Sequence, residues 1–128
     1  MSSSSKKKKP KNPLLWVVDS LMDEPSYLDR AWFGCKAIYL RGLMVLVLCS
    51  GDEPWNGLLI PTDHQFHQDI MQDFSGVVQH PVLKKWLYLP ENHEDFESTA
   101  MDLVEAIRLG DNRIGIEPKP RGSRKRKS

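Results

Sequence analysis

Leu14, Leu15, Val17, Val18, Leu21 and Met22 fall at the i, i+3, i+4 and i+7 spacings of one helical stripe. Asn12 and Pro13 suit the cap and first turn of such a helix, and Pro25 closes it, which predicts a helix over 14–24. Ser26 to Arg30 reads as a loop. The rhythm then changes to runs rich in β-branched, aromatic and leucine residues: Trp32 to Leu40, Leu43 to Cys49 and Gly57 to Pro61. Arg41-Gly42 and Ser50-Gly51-Asp52 supply turn chemistry between them, so the three runs form an antiparallel meander. Leu43 to Cys49 is apolar at every position, which places it centrally, buried on both faces.

Thr62 or Asp63 caps a second helix with Phe66, Ile70, Met71 and Phe74 on one face, ending before Gly76. A strand is expected at Lys85 to Leu89, and a weaker one between Val77 and Val82, interrupted by His80-Pro81. The last helix, from Glu94 or Phe96 to Leu109, carries Phe96, Met101, Leu103, Val104 and Ile107 on its apolar side and stops at Gly110. The order is helix, three-stranded antiparallel meander, helix, one or two strands, helix: an α+β fold built as a two-layer sandwich.

A chain of 128 residues has room for one hydrophobic core. Its net charge of +1 conceals a segregation. The stretches 1–13 and 117–128 hold 11 of the 18 basic residues and one of the 17 acidic ones, leaving the segment between them at −9. Those two stretches combine Ser, Lys, Arg and Pro with almost no apolar side chain, so they read as disordered basic tails flanking one domain over 14–116. No apolar run nears the ~20 residues that span a bilayer. Lysines leading into Pro10, Asn12 and Pro13 do not resemble a secretory leader. Cys35 and Cys49, each inside an apolar run, read as separate buried thiols of a reducing compartment, and the expectation is a cytoplasmic protein.

The string WFGCKAIYLRGLMVL at Trp32 to Leu46, with LYLP at Leu87 to Pro90 and an amphipathic helix after it, resembles the N-terminal domain of the TfoX family of bacterial competence regulators. Phe33, Gly34, Tyr39, Gly42, Tyr88 and Pro90 occupy the matching places, over about residues 14 to 110. Cys35 stands where the family's second glycine falls, and the Asp52 to Asn56 loop is longer than the family's turn. The resemblance implies a regulatory domain, and the matched positions are ones that form a fold. Gly34 beside Phe33 is expected to permit close approach of a neighbouring element, and Gly42 to make a turn.

Several residue groups invite chemistry. His64 and His67, three apart with Asp69 following, share a helical face as metal ligands must, but a structural site needs about four ligands and no cysteine lies near. Cys35 with His80 or His93 has the residue types of a nucleophile and base, yet a thiolate needs an electropositive, partly exposed setting. Glu91, Glu94, Asp95 and Glu97 fall where negative charge complements a helix N-terminus. No Gly-rich phosphate loop occurs. The expectation is therefore a non-enzyme with no cofactor and no metal site.

Of four tryptophans, Trp16 and Trp86 lie in regular apolar patterns and read as core. Trp55 sits in a loop between Pro and Gly turn signals, where an exposed aromatic anchors a partner, flanked by Glu53 and Asn56. The leading expectation is an adaptor that binds an unidentified protein through a sheet face or the Trp55 loop. The alternative is weak, non-specific DNA or RNA binding by the tails, with Lys6, Lys7, Lys8, Lys9, Arg124, Lys125, Arg126 and Lys127 on phosphates.

Overall fold

The computed structural model describes residues 12–118. Its centre is a six-stranded antiparallel sheet of β1 (Leu28–Trp32), β2 (Cys35–Leu40), β3 (Leu43–Ser50), β4 (Asn56–Ile60), β5 (Val78–Gln79) and β6 (Leu87–Pro90), in the order β1-β2-β3-β4-β6-β5. A 3₁₀ helix (Leu15–Leu21) precedes the sheet, a 3₁₀ turn (His64–Phe66) leads into α1 (His67–Asp73), and α2 (Phe96–Arg108) follows β6. This is the α+β architecture that the sequence pattern predicts. No helix among the described residues is long and apolar enough to cross a membrane.

The first helix is wound as 3₁₀. Val17 N–H bonds to the Leu14 carbonyl at 3.0 Å; Leu14, not Asn12, holds the cap position, and Asn12 Oδ1 accepts from Leu14 N–H at 2.9 Å in the turn before it. Branched Val17 and Val18, followed by Asp19-Ser20, are weak α formers, and packing selects the tighter winding. Val17, Val18 and Leu21 are buried against α2, whose Ala100, Leu103, Val104 and Ile107 face inward.

Two expectations in the meander are corrected. Ser26 to Arg30 is no loop, since Leu28–Trp32 is the edge strand β1, and the run from Trp32 to Leu40 is broken by a two-residue hairpin turn at Phe33-Gly34. Phe33 (φ 47°) and Gly34 (φ 80°) are both left-handed, as are Arg41 (φ 52°) and Gly42 (φ 83°) in the next turn, the twist that tight hairpins favour. Gly34 therefore serves backbone conformation and not close packing, because a Cβ there would meet nothing.

β3 is the interior strand expected of it, third of six. Between its pairs Leu46↔Ile38 and Met44↔Tyr39 lies one extra residue, Val45, so both Val45 and Leu46 reach the helix-side core. Met44, Val47 and Cys49 point to the opposite face, with Ala37, Leu59 and Tyr88. The helices bury their apolar residues on the first face. The second face is closed by Trp32, Trp55, Leu83, Trp86 and Ile116, the last through a two-bond bridge to Met44.

The cysteines are likewise corrected. Leu40↔Leu43 across the Arg41-Gly42 turn and the extra residue Val45 set the register Lys36↔Leu48, which brings Cys35 opposite Cys49, with Cα atoms 4.7 Å apart, and the pair is joined as a disulfide. Each apolar run hid its cysteine's partner because the Arg41-Gly42 turn alone would set Cys35 opposite Leu48, and the bulge at Val45 shifts the register by one residue. Trp16 is corrected too: it is 42% exposed, resting edge-on against Phe96 at 6.4 Å.

Candidate functional site

Four residues from three connections enclose an apolar cleft of about 410 Å³ at one end of the helix-free face: Trp32 and Phe33 at the first hairpin, Trp55 between β3 and β4, and Leu83 between β5 and β6. Two aromatic stacks build its walls. Trp86, just before β6, stacks on Trp32 at 5.5 Å, and Phe33 stands edge-on to Trp32 at 4.9 Å. On the other side Trp55 packs on the His80 ring at 4.6 Å, and His80 meets Tyr88 edge-on at 5.2 Å.

The Trp55 loop is held by its own backbone: Trp55 N–H donates to the Asp52 carbonyl and Gly51 N–H to the Trp55 carbonyl. The Glu53–Pro54 peptide within it is cis. Asn56, the first residue of β4, accepts from the Tyr88 hydroxyl. Burial raises the Tyr88 pKa, and the charges of Glu53 and Glu91 push it the same way. His80 is fully buried, and burial holds its pKa below the ordinary histidine value, against the pull of the Pro54 carbonyl.

Of the expected partner residues, Trp55 lines the cleft but is half-buried, Asn56 supports Tyr88, and Glu53 is exposed beside the wall. Phe33 was not among them. It is the most exposed large apolar side chain among the described residues, at 88%. The signal that finds it is Phe-Gly between two strand-like segments, read as a turn and not as a strand. The expected phosphate contacts at Lys6 to Lys9 and Arg124 to Lys127 lie outside the described residues.

The groups with catalytic residue types are dispersed. Cys35 is bonded to Cys49, and His80 is committed to backbone. His67 is buried with Nε2 at 2.8 Å from the Lys85 carbonyl, its ring 4.9 Å from that of His64. Among the described residues no group of three or more His, Cys, Asp or Glu converges as metal ligands do. Glu91, Glu94, Asp95 and Glu97 rim a hollow of about 640 Å³ between Trp16 and the start of α2, where Asp95 accepts from the Ser75 hydroxyl. Carboxylates there complement the helix dipole in a solvated setting.

The class that these observations define is an α+β domain with an aromatic cleft on a helix-free sheet face. The chain matches no protein-family model, no curated protein and no solved structure.

Proposed function

We propose that this domain is a non-enzymatic binding module, regulatory or adaptor in kind, that seats an apolar or aromatic side chain of a protein partner in the cleft of Trp32, Phe33, Trp55 and Leu83. One observation carries the reading. Phe33 is held in the left-handed region, where an L-residue costs about 1–2 kcal/mol, and almost the whole ring stands in water. The fold gains little burial from a phenyl group there and would be better served by Asn or Gly. Backbone strain at an exposed aromatic beside a cleft is the pattern of a contact residue.

The cleft's size falls within the range of ligand sites, and it is walled by aromatic groups, which dominate interface energetics. The likeness to the TfoX N-terminal domain agrees with a regulatory role, though Gly34, Gly42 and Pro90 are turn and strand-end residues that speak to fold. A cytoplasmic setting and the Cys35–Cys49 bridge pull in opposite directions, because cytosolic thiols are kept reduced. Alkylation of a fresh lysate followed by mass measurement of the intact chain decides which holds.

Affinity capture from the source cell, with and without nuclease, tests the function. A protein retained by the full chain after nuclease, and lost on both Phe33→Ser and Trp55→Ala, is the expected result. Retention that depends on nucleic acid and ignores both substitutions transfers the activity to the basic tails.

A further inference from the structure

His80 lies beneath the cleft and ties its walls together. Its Nδ1 accepts from the backbone N–H of Val82 at 3.1 Å and of Leu83 at 2.9 Å, and its Nε2 lies 3.0 Å from the Pro54 carbonyl. A ring nitrogen that accepts from two amides carries no hydrogen, so the ring is neutral with its hydrogen on Nε2, donated to Pro54. Pro54 immediately precedes Trp55, and Leu83 itself lines the cleft. One imidazole thus joins the loop of one wall to the loop of the other.

A second proton has one place to go. On Nδ1 it would face two N–H donors with no acceptor between them, and the turn at Val82-Leu83 must release the ring. We propose that His80 is a proton-operated latch for the cleft, closed when neutral, and that protonation frees the Leu83 wall from the Trp55 wall. This regulates the site assigned above and rests on that reading for its biological meaning.

The surroundings set the direction. Trp55 and Tyr88 face the ring from the β3–β4 loop and from β6. The charged residues on the elements around it are Asp52 and Glu53 before Pro54, Lys84 and Lys85 after Leu83, and Glu91 after β6; none of them is hydrogen-bonded to the ring. Burial opposes a proton on the ring most, and the Pro54 carbonyl favours one. The latch therefore holds above the ordinary histidine value of 6.5 and weakens as pH falls from there through the lower folded value.

The test is an NMR titration of the full chain from about pH 7.5 to about pH 4.5, a window that brackets histidine ionisation. It follows the His80 ring nitrogens, the Val82 and Leu83 amides, the Trp55 indole N–H and the methyl groups of Leu103 and Ile107. The expected result is the Nε2–H tautomer at neutral pH, with both amides and the indole moving on the His80 curve while the two helix residues stay in place. His80→Asn keeps an acceptor for both amides and cannot titrate, so it should flatten those curves. An Nδ1–H tautomer at neutral pH overturns the latch, as does a ring that stays neutral to the lowest pH, or amides that ignore its titration. Helix resonances lost on the same curve would mean global unfolding and overturn it equally. Should the variant not fold, the wild-type tautomer and amide curves decide alone. No ligand enters this measurement, so its failure leaves the capture experiment standing, and failed capture leaves the latch standing.

Discussion

Replacing Phe33 with Asn separates a fold-making residue from a contact-making one. Asn adopts the left-handed conformation readily and Asn-Gly is the preferred pair for this turn, so the substitution recovers most of about 1–2 kcal/mol. Against that stands the edge-on contact with Trp32 at 4.9 Å, worth about 0.5–1.5 kcal/mol for an aromatic pair and toward the low end for a ring 88% exposed. The net expectation is a gain of roughly 0.5 kcal/mol, or about 2–4 °C in Tm for a domain of this size. Urea unfolding of the full chain at unchanged m-value measures it, and capture of the partner should fall in the same variant. Arg41→Asn is the matched control. Its φ of 52° is relieved alike, but the guanidinium donates to the carbonyls of Ile107 (2.9 Å) and Arg108 (3.3 Å) at the end of α2. Loss of those bonds should leave Arg41→Asn less stable than wild type by about 1 kcal/mol. A Phe33→Asn protein that loses 1 kcal/mol or more, or that binds as before, refutes the assignment of Phe33 to contact.

Three further outcomes are expected. Reducing the Cys35–Cys49 bridge, or replacing both cysteines with Ala, should lower unfolding stability by about 3 kcal/mol, the loop-closure value for a separation of 14 residues; chemical denaturation with and without reductant reads it. Gly57→Ala should cost at least ~2 kcal/mol, because Gly57 has φ 146° and a Cβ there would collide with the Leu89 carbonyl across the β4–β6 ladder; a near-neutral result would contradict that close approach. Arg113 bonds to Asp111 and to Asp73, and the Arg113 hydrogen bonds hold the Asp111 carboxyl below its usual range. That stability is full above the ordinary carboxylate value of about 4 and is lost as pH falls through the lower folded value, so Arg113→Met should flatten the acid limb of a stability–pH profile.

The elements with a strong apolar pattern were legible in the sequence: β3 as an unbroken apolar run, and α2 by its helical periodicity and Gly110 stop. What escaped were features set by single turns. In β1 the open-face positions are Leu28, Arg30 and Trp32, a solvated edge whose charge interrupts the alternation, so it reads as loop. Phe33 at a position that favours Asn hid the hairpin, and the bulge at Val45, which leaves no mark in an all-apolar strand, hid the one-residue shift that pairs the cysteines. Trp55 was singled out by its turn signals, but its neighbours in the cleft come from positions some 20 to 30 residues away on either side. His80 stood out only as a base for Cys35 and as half of a His-Pro pair, and its bonding gave no signal, because a ring bonded to backbone alone leaves no side-chain partner in the sequence.

Side-chain NOEs in the uniformly labelled full chain test most directly whether the helix-free face carries this cleft. Contacts between the rings of Trp32 and Trp86, Trp32 and Phe33, and Trp55 and His80 are predicted together, with none from Trp32 or Trp55 to Leu103 or Ile107. Absence of the Trp32–Trp86 contact, or either tryptophan lying against α2, would contradict the account.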